Sequence, residues 1–393
     1  MLPNTAGGHV ATHAENTGGM ASTVEAPSER ERARARVGTV DEVDEMLDVI
    51  LSAFDRWPAV AVDVPARDHL LWKLQRPYPG IEKLHVVLEL DGRVIGTNIA
   101  LHREALLGGE RIRARGGGDT AIHPDFQGRG LYRPVSDASD TNPDGSELTV
   151  EFSLNPAMLH INDRKGSRDL GNPLRVLVYP LSARRTAACY QDRIPGGRAL
   201  GVVAAGFALA SGWNRLRNRS AVPAPPRGCA IQTWAEFDER IDAFADEASR
   251  RFDFIFTRER AFLNWRYCDR RGGDFVVRGA TAGDEVLGYA VYRLEGERAY
   301  IADLLALPGR SDVVRALVED VQQGARAKGA ATLICWMTQA HEYARVIKGL
   351  GFIDARRQTG LAWRPMRDGV PHVALLADPH ARIHVTLGDS DLI

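Results

Sequence analysis

The sequence predicts an α/β chain in which a mixed sheet with helices occurs twice in tandem. Three observations predict it. A strand and helix order can be read from the hydrophobic spacing of the first half. The same order returns after a proline-rich stretch, "SAVPAPPRG" at residues 220–228. A glycine-rich turn, "GGGDTAIHPDFQGRGLYRPV", leads from a strand into a helix. With 393 residues the chain is too long for one ordinary domain, and 44% apolar with 26% charged residues suits a soluble globular protein.

Taken in order, residues 1–35 are polar and rich in Gly, Thr and Ala, lack an apolar signal core, and are expected to form a disordered tail. "RARVGT" reads as a strand. "VDEVDEMLDVILSAF" has apolar residues at helical spacing, with Thr39 and Glu42 placed for a capping box. "ARDHLLWKLQRP" reads as a helix stopped by Pro77. "LHVVLELDGRVIGTNIAL" is a hairpin around Asp91-Gly92, a pair suited to a two-residue turn. A strand near residues 111–122 follows, then the glycine loop and the helix "LYRPVSDASD", where Pro134 fits only a first turn. "ELTVEFSL" is a strand, and "PAMLHINDRKG" a helix ending at Gly166 or, alternatively, Gly171. Residues 199–213, "ALGVVAAGFALASGW", are too short for a bilayer span of ~20 residues. They are read first as a buried helix, and second as a membrane-contacting one ahead of the basic "NRLRNR".

Beyond residues 220–228, "FLNWRYCD" mirrors "LLWKLQRP" and the following hairpin and strand mirror their first-half counterparts. Trp72 aligns with Trp265, Gly96 with Gly288, Asp119 with Asp303 and Pro124 with Pro308. The expected organisation is a tail (1–35), a first unit (36–219), a linker (220–228) and a second unit (229–393).

A formal net charge of −1 without a single-sign stripe argues against nucleic acid as the main partner. Cys189, Cys229, Cys268 and Cys335 are far apart, with no His at ligand spacing, so neither a metal site nor a disulfide framework is expected. Reduced thiols and a cytoplasmic location are the expectation. The spacing fits no P-loop, dinucleotide fingerprint or GxSxG elbow.

The glycine loop has a physical reading of its own. Successive N–H groups at a glycine turn entering a helix converge on one spot, which the helix dipole makes favourable for an anion. "DTAIHPDFQGRGLY" and the strand and Asn155 that follow it resemble the Gcn5-related N-acetyltransferase (GNAT) superfamily. The resemblance covers most of the chain after the tail. It implies two tandem GNAT-like domains, the second degenerate because "ALPGRSDVV" lacks the glycine signature.

It further implies acetyl-CoA or another acyl-CoA as co-substrate. Its contacts would be Ile122, Gln127, Gly128, Arg129, Gly130, Leu131, Tyr132 and Asn155. The acceptor would be the amine of a small metabolite, attacking the thioester directly. Asp119 or Glu151 is the expected base, with a loop cap or arginine pairing as the alternative role for each. The family's usual acid, a Tyr seven residues after the Asn, falls on Asn162, which leaves Tyr132 as the candidate donor, with packing as its alternative role. The ending "IHVTLGDSDLI", with Asp389, Asp391 and the chain carboxylate, is a further candidate for holding a cationic amine. Two other readings stay open, a Fem-like aminoacyl transferase and a non-catalytic acyl-CoA-binding protein.

Overall fold

The computed structural model describes residues 28–58, 60–77, 85–141, 145–153, 156–190, 200–358 and 360–390. It begins inside the segment expected to be a tail. Helix α1 (Glu29–Arg32) is closed by Glu31 accepting from the Ser28 N–H at 2.8 Å, and strand β1 (Arg34–Val37) follows. Thr39 and Glu42 form the anticipated capping box ahead of α2 (Val43–Ala53). Helix α3 (Ala66–Leu74) ends just short of Pro77. Strands β2 (His85–Leu90) and β3 (Arg93–Leu107) are joined by Asp91 and Gly92, both left-handed at φ 51° and 80°, the backbone that a two-residue hairpin turn needs. Next come β4 (Glu110–Ile122), α4 (Tyr132–Asp140), β5 (Leu148–Ser153) and α5 (Pro156–Arg164).

Alternation along β2 divides the first core. Val86, Leu88 and Leu90 face one side with Leu131 and Val135 at α4, while Val87 meets Met46 and Ile50 of α2 and Leu70 of α3 on the other. Helix α5 ends at Gly166, φ 80°, with Ser167 N–H donating to Asn162 O at 3.0 Å, so Gly166 and not Gly171 terminates it.

Strands β6 (Arg168–Asp169) and β7 (Leu174–Pro180) lead to α6 (Ala183–Cys189) and α7 (Leu200–Arg217). The second half contains β8 (Ala230–Trp234), α8 (Arg240–Ser249), β9 (Phe254–Phe256), α9 (Arg260–Tyr267), β10 (Val276–Ala282), β11 (Glu285–Glu295) and β12 (Arg298–Ala306). It closes with α10 (Ser311–Ala327), β13 (Thr332–Thr338), α11 (Ala344–Gly349), β14 (Ile353–Gln358), β15 (Gly360–Pro365) and β16 (Ile383–His384).

These elements build two mixed sheets, of nine and seven strands among the described residues, and neither respects the expected 219/229 boundary. Strand β7 leaves the first half to pair with β13 and β14, while β15 leaves the second to pair with β5 and β6. The exchange is reciprocal, so each sheet is completed by the other half's strand. Helix α7 follows β7 and is tied to the second sheet, with Ser211 donating to Gly351 O and Asn214 to Phe352 O. Residues 174–190 and 200–219 therefore belong structurally with the second sheet. The linker at 220–228 runs along it, with Pro223 O accepting from Arg315.

A shared core lies between the sheets, with Leu148 and Val150 from the first half beside Phe254, Tyr289, Trp336 and Trp363 from the second. The pair aligned from sequence, Trp72 and Trp265, also meets across the two halves. Their rings stack at 4.4 Å, and each indole N–H donates to the other's backbone carbonyl, at 2.9 and 3.0 Å. One expectation fails outright. Helix α7 is not buried, for only Ser211 of its residues is, and Val202, Leu209, Trp213 and Leu216 face outward. Among the described residues no helix is long and apolar enough to cross a membrane.

Candidate active site

Strands β4 and β5 pair in parallel only at Ala114↔Leu148 and Arg115↔Thr149, and beyond that point they part. Gly116 stands where the gap opens. A Cβ there would lie 2.7 Å from Val150 O, so the close approach requires glycine. On its other side β4 slips in register against β3 between Thr97 and Ile99, which bulges Asp119 and Thr120, and Asp119 takes φ 44°.

A cavity of about 360 Å³ fills the gap. One side is lined by Tyr132 of α4, Glu151 of β5, Asn162 of α5, Lys165 just after it and Arg364 of β15. The other side is lined by Trp57, His69 and Lys73, then by Trp265 and Arg266 of α9 and by Gly388, Asp389 and Ser390 near the chain end. Both halves thus contribute walls.

The two carboxylates expected to act as a base have different surroundings. Asp119 is occupied, for Trp57 Nε1 donates to Oδ1 at 2.7 Å and Lys73 Nζ to Oδ2 at 2.6 Å. Glu151 is largely desolvated, and burial pushes its carboxyl above the usual range. The Lys165 and Arg364 cations pull it back, while Asp140 adds to the rise. Its Oε2 is buried without a hydrogen-bond partner among the described residues. Tyr132 is pushed up to about 12 by burial, with the Glu151 charge adding to the push, so its hydroxyl stays protonated at neutral pH. Asp140 bridges two of the cations, Arg364 at 2.8 Å and Lys165 at 3.0 Å. His69 is lowered to about 4, first by burial and then by the Lys73 charge, and its Nδ1 lies 2.7 Å from Arg271 O.

The glycine loop leads into the N-terminus of α4, next to Tyr132. Gln127 Nε2 closes it by donating to Ile122 O at 2.8 Å, so both residues shape the turn. Gly128 and Gly130 are left-handed, at φ 76° and 74°, with open space where a Cβ would project. Among the described residues the N–H groups of Gly128, Arg129, Gly130, Leu131 and Tyr132 have no protein acceptor. Leu131 is buried against β2, and the Arg129 guanidinium is engaged by Glu29 at 2.6 Å. Asn155 lies outside the described residues.

The second half has a matching gap. Strands β12 and β13 pair in parallel from Arg298↔Thr332 to Ile301↔Cys335 and then part. Here the space is filled by the C-terminal segment. Thr338 Oγ1 donates to Ile383 O at 2.8 Å, and about 10 Å³ remains among Leu304, Met337, His384 and Val385. Asp303 is bound by Arg258 at 2.8 Å, Tyr289 at 3.0 Å and Tyr267 at 3.3 Å. Arg258 also reaches Asp389 at 2.9 Å, and Arg103 reaches it at 2.6 Å. Burial opposes ionisation of Asp303 and Asp389, but Arg258, together with His384 beside Asp303 and Arg103 beside Asp389, holds both below the usual carboxylate range. The C-terminal segment therefore plugs one gap and then walls the other, with Asp389 consumed in ion pairs. Asp391 lies outside the described residues.

Sequence reading missed His69, Lys73, Lys165, Arg266 and Arg364. The repeat held one signal, because "WK" at 72–73 recurs as "WR" at 265–266. No His, Cys, Asp and Glu grouping suited to a metal occurs among the described residues.

No protein-family model matches the chain, and no curated protein does. Solved structures do. A probable N-acyltransferase from Enterococcus faecalis has a TM-score of 0.59 at 13% identity, over 85% of this chain and 73% of that one. A tandem GNAT protein from the clavulanic acid biosynthesis pathway has 0.50 at 14% identity, over 86% of this chain and all (100%) of that one. An N-myristoyltransferase from Saccharomyces cerevisiae, solved with myristoyl-CoA, has 0.55 at 9% identity, over 84% of this chain and 78% of that one. At these identities the likeness establishes the fold, and the chain has a tandem GNAT fold.

Proposed function

We propose that the tandem GNAT fold of this chain serves an acyl-CoA-dependent N-acyltransferase acting on the amine of a small metabolite. The observation that carries the reading is that two features meet at Tyr132. It is the last of five residues with unpartnered N–H groups at the start of α4, and its side chain lines the cavity in the β4/β5 gap. The first suits a diphosphate, since left-handed Gly128 and Gly130 turn their amides outward and leave no Cβ in the way. The second suits a pantetheine arm and a thioester.

Bound acyl-CoA would supply an activated acyl group. N–H groups on β4 beyond Arg115, no longer paired with β5, would polarise the thioester carbonyl. Glu151 fits the base best. Its desolvated carboxylate, with Oε2 free, takes the proton shed as the amine forms its bond to the acyl carbon. Tyr132, still protonated, donates from its hydroxyl to the sulfur released as the C–S bond breaks. Asp119, saturated by Lys73 and Trp57, holds the bulge of β4 in shape. The acceptor would enter past Trp57, His69 and Trp265, so the second half contributes to its recognition.

Calorimetry with coenzyme A, followed by thiol release from acyl-CoAs of graded length against a panel of amines, tests the reading. No measurable affinity for coenzyme A would end it. A specific observation favours a second reading, an acyl-CoA-binding protein without turnover, because Asn162 stands where the family's acid would be and is buried against the cavity. Binding without amine-dependent thiol release across the panel is its signature.

A further inference from the structure

Four large apolar side chains among the described residues are more than 60% exposed, and all belong to α7: Val202 at 63%, Leu209 at 75%, Trp213 at 62% and Leu216 at 67%. Their spacing of seven, four and three residues puts them within roughly 60° of one another around the helix, in a stripe about 21 Å long. The residues between them on that side are small and exposed, including Ala205, Gly206 and Gly212. The opposite side fastens the helix to the second sheet through Ser211 and Asn214. The apolar stripe is therefore held rigidly outward, where water alone would disfavour it.

Charge indicates what covers it. Residues 200–235 contain four arginines (Arg215, Arg217, Arg219 and Arg227) and no Asp, Glu or Lys, in a chain with 51 acidic residues. Arg217 and Arg219 make no ion pair with any described residue. Arg345 and Lys348 of α11 share a surface hollow with Arg217, and the acidic residues there are already engaged, Glu342 by Arg251 and Asp354 by Arg175. An apolar face with a tryptophan and uncompensated arginines at one end fits an anionic lipid surface, taking the side chains into the acyl boundary and the guanidinium groups to the headgroups. A second copy of the chain fits less well, since a twofold contact would place the same uncompensated arginines on both sides.

We propose that α7 is a peripheral docking helix that seats this protein on anionic bilayers. The proposal is independent of the acyltransferase reading, and its test reads lipid binding alone. Vesicles of phosphatidylcholine, with or without about 30% phosphatidylglycerol, are sedimented with the full chain. The protein should pellet at least about tenfold more with the anionic vesicles, and rising salt should release it. Leu209→Gln with Trp213→Gln, both exposed and compatible with a helix, should abolish pelleting while leaving the melting temperature and coenzyme A affinity unchanged. Arg217→Gln with Arg219→Gln should remove the preference for anionic lipid. The proposal is overturned if the wild-type chain stays in the supernatant with both vesicle types, or if the Leu209→Gln/Trp213→Gln protein pellets like wild type. It is equally overturned if ultracentrifugation shows a wild-type dimer that this same variant dissolves, for the face would then join two copies.

Discussion

In the first sheet β4 and β5 part after Arg115 and Thr149 around a cavity of about 360 Å³. In the second, β12 and β13 part after Ile301 and Cys335, and residues 383–386 occupy the space down to about 10 Å³. The backbone device is the same, and what differs is who occupies it. Matched side chains show how the roles separated. Lys73 of α3 neutralises Asp119, while its counterpart Arg266 instead donates to Gly388 O and Ser390 O, holding the C-terminal segment. Asp303, the counterpart of Asp119, is taken over by Arg258. A carboxylate at this place is ion-paired in both halves, which supports a structural role for Asp119 and the proposal of Glu151 as the base.

The largest expected effect would come from the open gap. Glu151→Gln should lower kcat/KM by ~10²–10⁴-fold, with coenzyme A affinity little changed. Because burial raises the Glu151 pKa, the wild-type rate should fall, as pH drops, above the ordinary carboxylate range. Wild-type rates in this variant would remove Glu151 from the reaction and return attention to Asp119.

In the plugged gap the penalty should be in stability. Arg258→Met leaves Asp303 and Asp389 buried without their shared cation, at a cost of about 3–5 kcal/mol in urea unfolding. Lys73→Met should cost less, since Trp57 still donates to Asp119. The reverse order would mean that the two ion networks have been misjudged.

A third contrast concerns pH. Three residues before the stacked tryptophans, the first half has His69 and the second Phe262. His69 is lowered to about 4, so between that value and its unfolded value near 6.5 the unfolded chain binds the extra proton and stability falls as pH falls. The loss attributable to this histidine is up to about 3 kcal/mol between pH 7 and pH 4. His69→Phe should flatten that part of the stability–pH curve, and an unchanged slope would show that the imidazole is not kept neutral by the fold.

The smallest effect expected is on ligand affinity. Gly130→Asp adds a side chain and a negative charge beside the free amides, and should weaken coenzyme A at least about tenfold, ~1.4 kcal/mol. With the second gap filled, titration should reach one coenzyme A per chain. A stoichiometry of two would show that the C-terminal plug gives way.

Much of this was written locally. Period-two strands, the Asp91-Gly92 turn, the Thr39 and Glu42 capping box and the left-handed glycines of the loop depend on neighbours within a few residues, so the sequence displays them. Repetition made Trp72 and Trp265 visible as a pair, and the fold brought them into contact. Pairing across long separations was not legible. The exchange of β7 and β15 pairs residues 152 to 164 apart in one case and 207 to 217 apart in the other, and a proline-rich stretch at 220–228 is a sensible boundary by composition alone.

The same holds for charge and burial. Asp119 and Glu151 both sit in strand-like contexts, and only the arrival of Lys73 and Trp57 at one of them separates their surroundings. An apolar helix reads as a core helix because hydrophobicity shows what a side chain prefers and not what is available to cover it. Residues 200–217 kept their preference and, with one face on the second sheet, kept the other bare. The sequence by itself determined the repeated unit, the glycine loop and the absence of that loop from the second half. The tertiary structure decided which carboxylate is free, which gap is open and which apolar face is left outside, because each depends on groups brought together from distant parts of the chain.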